Sequence, residues 1–120
     1  MHDNESIREY CLSKPGSSES LPFDDVTLVF KVMNKVFLIL SLDTPAPSFN
    51  AKCKPDLALE WREKHYQIVP GFHMNKKHWN TIEVDQGLSE TFIREIIDHS
   101  YALVAAGLSK KDKEALQHFE

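Results

Sequence analysis

Six apolar residues, Phe92, Ile93, Ile96, Ile97, Tyr101 and Val104, recur at helical spacing near the end of the chain. The spacing predicts an amphipathic helix over residues 89–106. Ser89 is placed to cap its N-terminus and Gly107 to end it. A stripe this long and this apolar has to be buried against a second surface. That surface is predicted upstream, where the hydrophobic period switches from 3.6 to 2. In residues 27–33, Leu28, Phe30 and Val32 point one way and Val29, Lys31 and Met33 the other. A helix with a sheet under it defines the class as α+β.

The rest of the chain fills in around this pair. Residues 4–13 form a short helix with Ile7, Tyr10 and Cys11 on one stripe, Asn4 as its cap, and Lys14-Pro15-Gly16 as its stop. Residues 17–25 read as a polar connector. Residues 36–42 make a second strand, joined to the first as a hairpin through Asn34-Lys35. That strand is apolar on both faces, Val36, Leu38 and Leu40 against Phe37 and Ile39, which predicts a central position. Residues 48–53 give a third strand. Residues 55–65 give a second helix, with Pro55 at its first position and Leu57, Ala58 and Trp61 as its apolar stripe. Residues 67–69 and 77–84 are two further strands, and residues 109–120 a charged tail with room for one helical turn or more. The expected order is α-β(3)-α-β(2)-α within a single domain, residues 1–120.

Composition narrows the function. The chain has 120 residues with 14 basic and 18 acidic side chains, a net charge of −4, which excludes nucleic-acid binding by bulk charge alone. Two cysteines, Cys11 and Cys53, are too few for a disulfide framework or a four-cysteine zinc site. No apolar run approaches the roughly 20 residues of a membrane span. The opening residues are polar, so no signal peptide is expected and the expected location is cytoplasmic.

Chemistry-bearing patterns are few. The glycines sit at element ends, so none forms a phosphate-binding loop. Cys11 lies on an apolar stripe and reads as a core thiol. Cys53 stands between Lys52 and Lys54, whose charges would lower its pKa, yet a structural role is favoured there too. His73 and His78 lie five apart with Lys76 and Lys77 between them, which argues against a metal site. The acids Asp24, Asp25 and Asp43 read as solvated loop residues. No acid–base or nucleophile constellation is visible, and no enzyme, cofactor or metal is expected.

One segment stands out. Residues 72–80 pack two lysines, two histidines, two asparagines and a tryptophan between Phe72 and Asn80. Such a set suits phosphate contact by cations and base stacking on an aromatic ring. A connector whose Trp79 and Phe72 plug the core is the plainer reading, and spacing alone favours it. Charge by segment adds weight to the first. Residues 1–49 carry net −3, residues 50–80 net +3 and residues 81–120 net −4. The basic island holds Lys52, Lys54, Arg62, Lys64, Lys76 and Lys77.

The run Gly71-Phe72-His73-Met74-Asn75-Lys76-Lys77-His78-Trp79-Asn80-Thr81 resembles the MmcQ/YjbR family. So do Glu9-Tyr10-Cys11, Lys14-Pro15-Gly16, Phe23-Asp24-Asp25, Val29-Phe30-Lys31-Val32, Asn50-Ala51-Lys52-Cys53 and Asp98-His99-Ser100-Tyr101. The resemblance implies an antiparallel sheet with helices packed on it, similar to frataxin-like and secretion-chaperone-like folds. It also implies DNA binding of a double-wing type, in which the hairpins at residues 27–42 and 67–84 embrace a duplex. Asn34-Lys35 departs from the glycine-containing turn of relatives. Two function classes follow. One is weak DNA binding through Lys52, Lys54, Asn75, Lys76, Lys77, His78 and Trp79. The other is a non-enzymatic protein-interaction or small-anion-binding domain. No membrane partner is expected, and the oligomeric state is left open.

Overall fold

The computed structural model describes residues 1–119. The elements run α1 (Asn4–Leu12), β1 (Ser17–Ser20), β2 (Thr27–Val32), β3 (Lys35–Ser41), β4 (Ser48–Lys52), α2 (Pro55–Lys64), β5 (Ile68–Pro70), β6 (Trp79–Glu83), α3 (Glu90–Ala106) and α4 (Lys110–Leu116). Six strands form one antiparallel sheet in the order β1-β2-β3-β4-β6-β5. The α+β class holds, and β3 lies in the interior of the sheet as its two apolar faces predicted.

Three local expectations are corrected. The connector after α1 contains a strand, β1, paired with β2 from Ser17↔Val32 to Ser20↔Val29. Its sequence, Ser-Ser-Glu-Ser, has no apolar alternation, so its place is set by backbone pairing and by Arg8 of α1 gripping Glu19 at 2.7 Å. The cap of α1 is Asp3, whose carboxylate accepts from the Ser6 amide at 2.7 Å, one residue before the expected Asn4. The hairpin turns at Met33 and Asn34, not at Asn34-Lys35. Both have positive φ, +48° and +69°, the geometry a two-residue turn needs to match strand twist without glycine. The charged tail forms the helical turns expected of it, as α4, capped by Ser109; its last residue, Glu120, lies outside the described residues.

The strand residues of the main cluster face one way, while Val29, also buried, lies on the other face. Leu28, Phe30, Val32, Leu38, Leu40, Phe49, Ala51, Ile68 and Ile82 join Ile7, Ala58, Trp61, Ile93, Ile96 and Ile97 of the helices in one cluster. α3 is the central pillar and is capped by Ser89 as expected. Strict alternation fails at one place. Phe30 faces Leu38 while Lys31 faces Val36, so Phe37 is an extra residue in β3. The bulge turns Phe37 inward beside Leu38, and both are fully buried. It also interrupts the ladder towards β4. Ser100 of α3 repairs the gap: its buried hydroxyl donates to the Phe37 carbonyl at 2.5 Å and accepts from the Lys52 amide at 2.8 Å.

The opposite face of the sheet lies outside this core. Register places one residue from every strand in a row across it: Ser20, Val29, Ile39, Asn50, Thr81 and Val69. Lys31, Lys52 and Trp79 share that face on one side of the row, and Thr27, Ser41, Ser48 and Glu83 on the other.

Candidate nucleic-acid interface

The basic–aromatic segment connects β5 to β6, and a set of polar side chains fixes its shape. Gly71 donates to the Trp79 carbonyl at 2.9 Å, and a side chain at Gly71 would meet that same oxygen at 2.8 Å. Only glycine allows this approach. Asn75 starts the turn into β6: its side-chain oxygen accepts from the Lys77 amide at 3.0 Å, and its carbonyl accepts from the His78 and Trp79 amides. From α2, Arg62 clamps the segment. Its Nε donates to Asn80 Oδ1 at 2.6 Å, and its Nη2 donates to the carbonyls of Trp79, at 3.3 Å, and Lys76. Asn80 is buried and directs its own amide at the Ala58 carbonyl. Part of the signature is therefore scaffold. Arg62, counted in the basic island from sequence, is spent on three hydrogen bonds, and Asn75 is a turn-former.

The remaining site residues divide between two sides. Lys52 and Trp79 are direct cross-strand partners on the helix-free face. Trp79 is half-buried and stands outside the core cluster, so it is neither a core plug nor fully exposed. The Cys53 amide donates to the His78 carbonyl at 2.8 Å, so the ends of β4 and the loop lie side by side. Lys76 and Lys77 are exposed in that loop, and the Lys76 ammonium donates to the Gly71 carbonyl at 3.2 Å. His78 is half-buried. Lys54 belongs elsewhere: it precedes α2, its amide donates to His99 Nε2 at 3.2 Å, and its charge acts on that ring. The face also carries Lys31, Asn50 and Thr81, which the sequence reading did not select. Lys31 was legible from alternation; Asn50 and Thr81 become neighbours only through the β4–β6 register.

Both cysteines are buried free thiols. Burial pushes the Cys11 thiol up to about 12. Cys53 is pushed to about 11, also by burial, with Arg62 opposing only in part, so the expected lowering by flanking lysines is overturned.

A second polar cluster ties α1 to α3, from motif pieces far apart in sequence. Asp98 accepts from the Tyr10 hydroxyl at 2.6 Å and from the Lys14 ammonium, and Tyr101 donates to the Pro15 carbonyl at 2.6 Å. Burial pushes the Asp98 carboxyl up, but the bonds from Lys14 and Tyr10 outweigh it and hold the group below its ordinary value. His99 has its pKa lowered from 6.5 by burial and then by Lys54. Its Nε2 accepts a hydrogen bond, so the fold requires the neutral ring. Above pH 6.5 both folded and unfolded rings are neutral and the full contribution is present. Below it the unfolded chain takes up its proton first, and stability falls as pH drops through the folded-state pKa. Melting curves between pH 7 and pH 5 should show this loss, and His99→Gln should flatten it. A slope unchanged in the variant would assign the loss to other groups.

An α+β sheet with helices on one side, a helix-free opposite face and a signature loop clamped by Arg62 defines the class. The YjbR family model matches residues 12–103, and the chain belongs to this family. It is 32% identical over 114 residues to the protein YbdF of Escherichia coli O157:H7, covering 95% of this chain and 93% of that one. It is 32% identical over 95 residues to YjbR of Escherichia coli strain K12, covering 79% and 80%. Among solved structures, the crystal structure of Deinococcus radiodurans protein DR2400 superposes with a TM-score of 0.90 at 33% identity, over 98% of this chain and 89% of that one. A Pseudomonas syringae protein shares the fold, with a TM-score of 0.73 at 23% identity over 85% and 98%. No helix among the described residues is long and apolar enough to cross a membrane.

Proposed function

We propose that the chain is a non-enzymatic, cytoplasmic module that binds DNA weakly, with phosphates held by lysines and bases laid on aromatic rings of the helix-free sheet face. The observation that carries this reading is the Lys52–Trp79 cross-strand pair on that face, next to the loop that presents Lys76 and Lys77. Cation and ring side by side are what a strand of alternating phosphate and base requires. The hairpin β2–β3 and the pair β5–β6 would be the two wings that the resemblance implies. Here β4 lies between them in one continuous sheet, so they share a surface suited to unpaired bases.

Fluorescence titration of a single-stranded 12-mer at several salt concentrations tests the reading. Lys76→Ala/Lys77→Ala should weaken binding for every sequence and reduce the log–log salt slope by about 1.4, at roughly 0.7 per phosphate. Trp79→Ala should cost about 1–3 kcal/mol of affinity. Wild-type affinity and salt dependence in the double lysine variant would defeat the mechanism. A second reading, protein interaction, draws on Phe23 and Leu21, 78% and 48% exposed in the β1–β2 loop. It gains if Phe23→Ser abolishes self-association or partner capture while DNA binding is absent in the wild-type chain.

A further inference from the structure

A hollow of about 370 Å³ opens on the sheet face over Asn50, Thr81 and Val69 of the central row and extends past them to Ser41, Ser48 and Glu83. Val69 and Pro70 of the edge strand and the Phe72 ring wall it, and Asn50, Thr81 and Glu83 line its polar part. Phe72 is 68% exposed, and its ring contact is the neighbouring His73. The polar groups are oriented by a short relay. The Phe72 amide donates to Thr81 Oγ1 at 2.9 Å, so the Thr81 proton is free to donate to Asn50 Oδ1. Asn50 thus turns its NH2 away from Thr81, and among the described residues no hydrogen bond uses that nitrogen. Glu83 is exposed, and no hydrogen bond or ion pair involves its carboxylate among the described residues. The hollow therefore offers a carboxylate acceptor pair, an amide donor and an aromatic ring.

We infer that this hollow takes a guanine base from the bound strand, an assignment that rests on the DNA-binding reading above. Guanine presents two adjacent donors, N1–H and the N2 amino group, beside one acceptor, O6. The two donors match both oxygens of Glu83, and O6 accepts from the Asn50 amide, while the ring lies on Phe72. The other bases fit less well. Adenine and cytosine bring a ring-nitrogen lone pair against the carboxylate. Thymine offers a single N–H between two carbonyl oxygens. Glu83 is therefore the specificity-determining residue, and the lysines at the other end of the face supply affinity without base identity.

The experiment compares 12-mers of alternating dG and dT with 12-mers of dT alone, in anisotropy titrations, for the wild type, Glu83→Gln and Lys76→Ala/Lys77→Ala. The dG-containing strand should bind about tenfold tighter than dT alone. Glu83→Gln should bring both to the dT affinity. Inosine in place of guanine, which lacks the N2 amino group, should give an intermediate value. Equal binding of both strands, unaffected by Glu83→Gln yet weakened by the lysine variant, would overturn the guanine assignment and leave DNA binding standing. Guanosine monophosphate is titrated alone. If it binds in a Glu83-dependent way while neither strand binds, the site belongs to a free nucleotide and the strand assignment is overturned. If nothing binds, both readings fall.

Discussion

Ile96→Ala is expected to lower the free energy of unfolding by about 2–5 kcal/mol. Ile96 lies mid-way along α3, 1% exposed, between Ile93 and Ile97 on the stripe that meets the sheet. Removing its side-chain carbons beyond Cβ leaves a cavity that the strands below cannot close, because β3 and β4 are interior strands paired on both sides. At roughly 4 °C per kcal/mol for a chain of this size, the melting temperature should fall by about 8–20 °C. Denaturant titration checks it: the midpoint should drop with the slope unchanged. A loss under 1 kcal/mol would mean that α3 is not the pillar of this core.

Phe37→Ala should cost as much or more, about 3–5 kcal/mol. Its fully buried ring sits edge-on to Tyr101, with centroids 5.4 Å apart, and tilted against Phe30 at 6.4 Å. The informative comparison is Ile39→Ala. Unbroken alternation would put Phe37 and Ile39 on the same face, and the two substitutions would then be felt alike. With the bulge, Ile39 is half-buried on the helix-free face, and its replacement should cost about 1 kcal/mol or less. Measured side by side by denaturant unfolding, an Ile39 loss equal to that of Phe37 would contradict the bulge.

These two residues also mark the limit of what the sequence makes legible. α3 could be read because four turns of apolar spacing, a serine cap and a terminal glycine all agree. The bulge at Phe37 could not, because strict period two is the premise of reading a strand at all; the clue was Phe37 and Leu38, adjacent and both large. β1 was hidden for a related reason: three serines and a glutamate carry no hydrophobic signal, and its pairing is a property of the backbone of β2. In the candidate site, residues 72–80 announced themselves by composition, but composition does not sort roles. Arg62, Asn75 and Asn80 have the residue types of a binding site and serve as clamp, turn and buried brace. Asn50 and Thr81 were invisible because 31 residues separate them and only the β4–β6 register brings them together.

The clamp on residues 71–78 has a kinetic consequence. Fixing the backbone of a free loop costs about 1–2 kcal/mol per residue, and a loop that orders only on contact takes that cost from its binding energy. Here Arg62, Asn75 and the close approach at Gly71 set the loop's path during folding, before any ligand arrives. On the proposed DNA-binding reading, association would give up little beyond the rotamer freedom of Lys77 and the bond that holds the Lys76 ammonium to the Gly71 carbonyl. On that reading, with no loop closure to wait for, the on-rate should follow diffusional encounter and the local field of the lysines, and variants of this loop should differ mainly in how long the complex lasts.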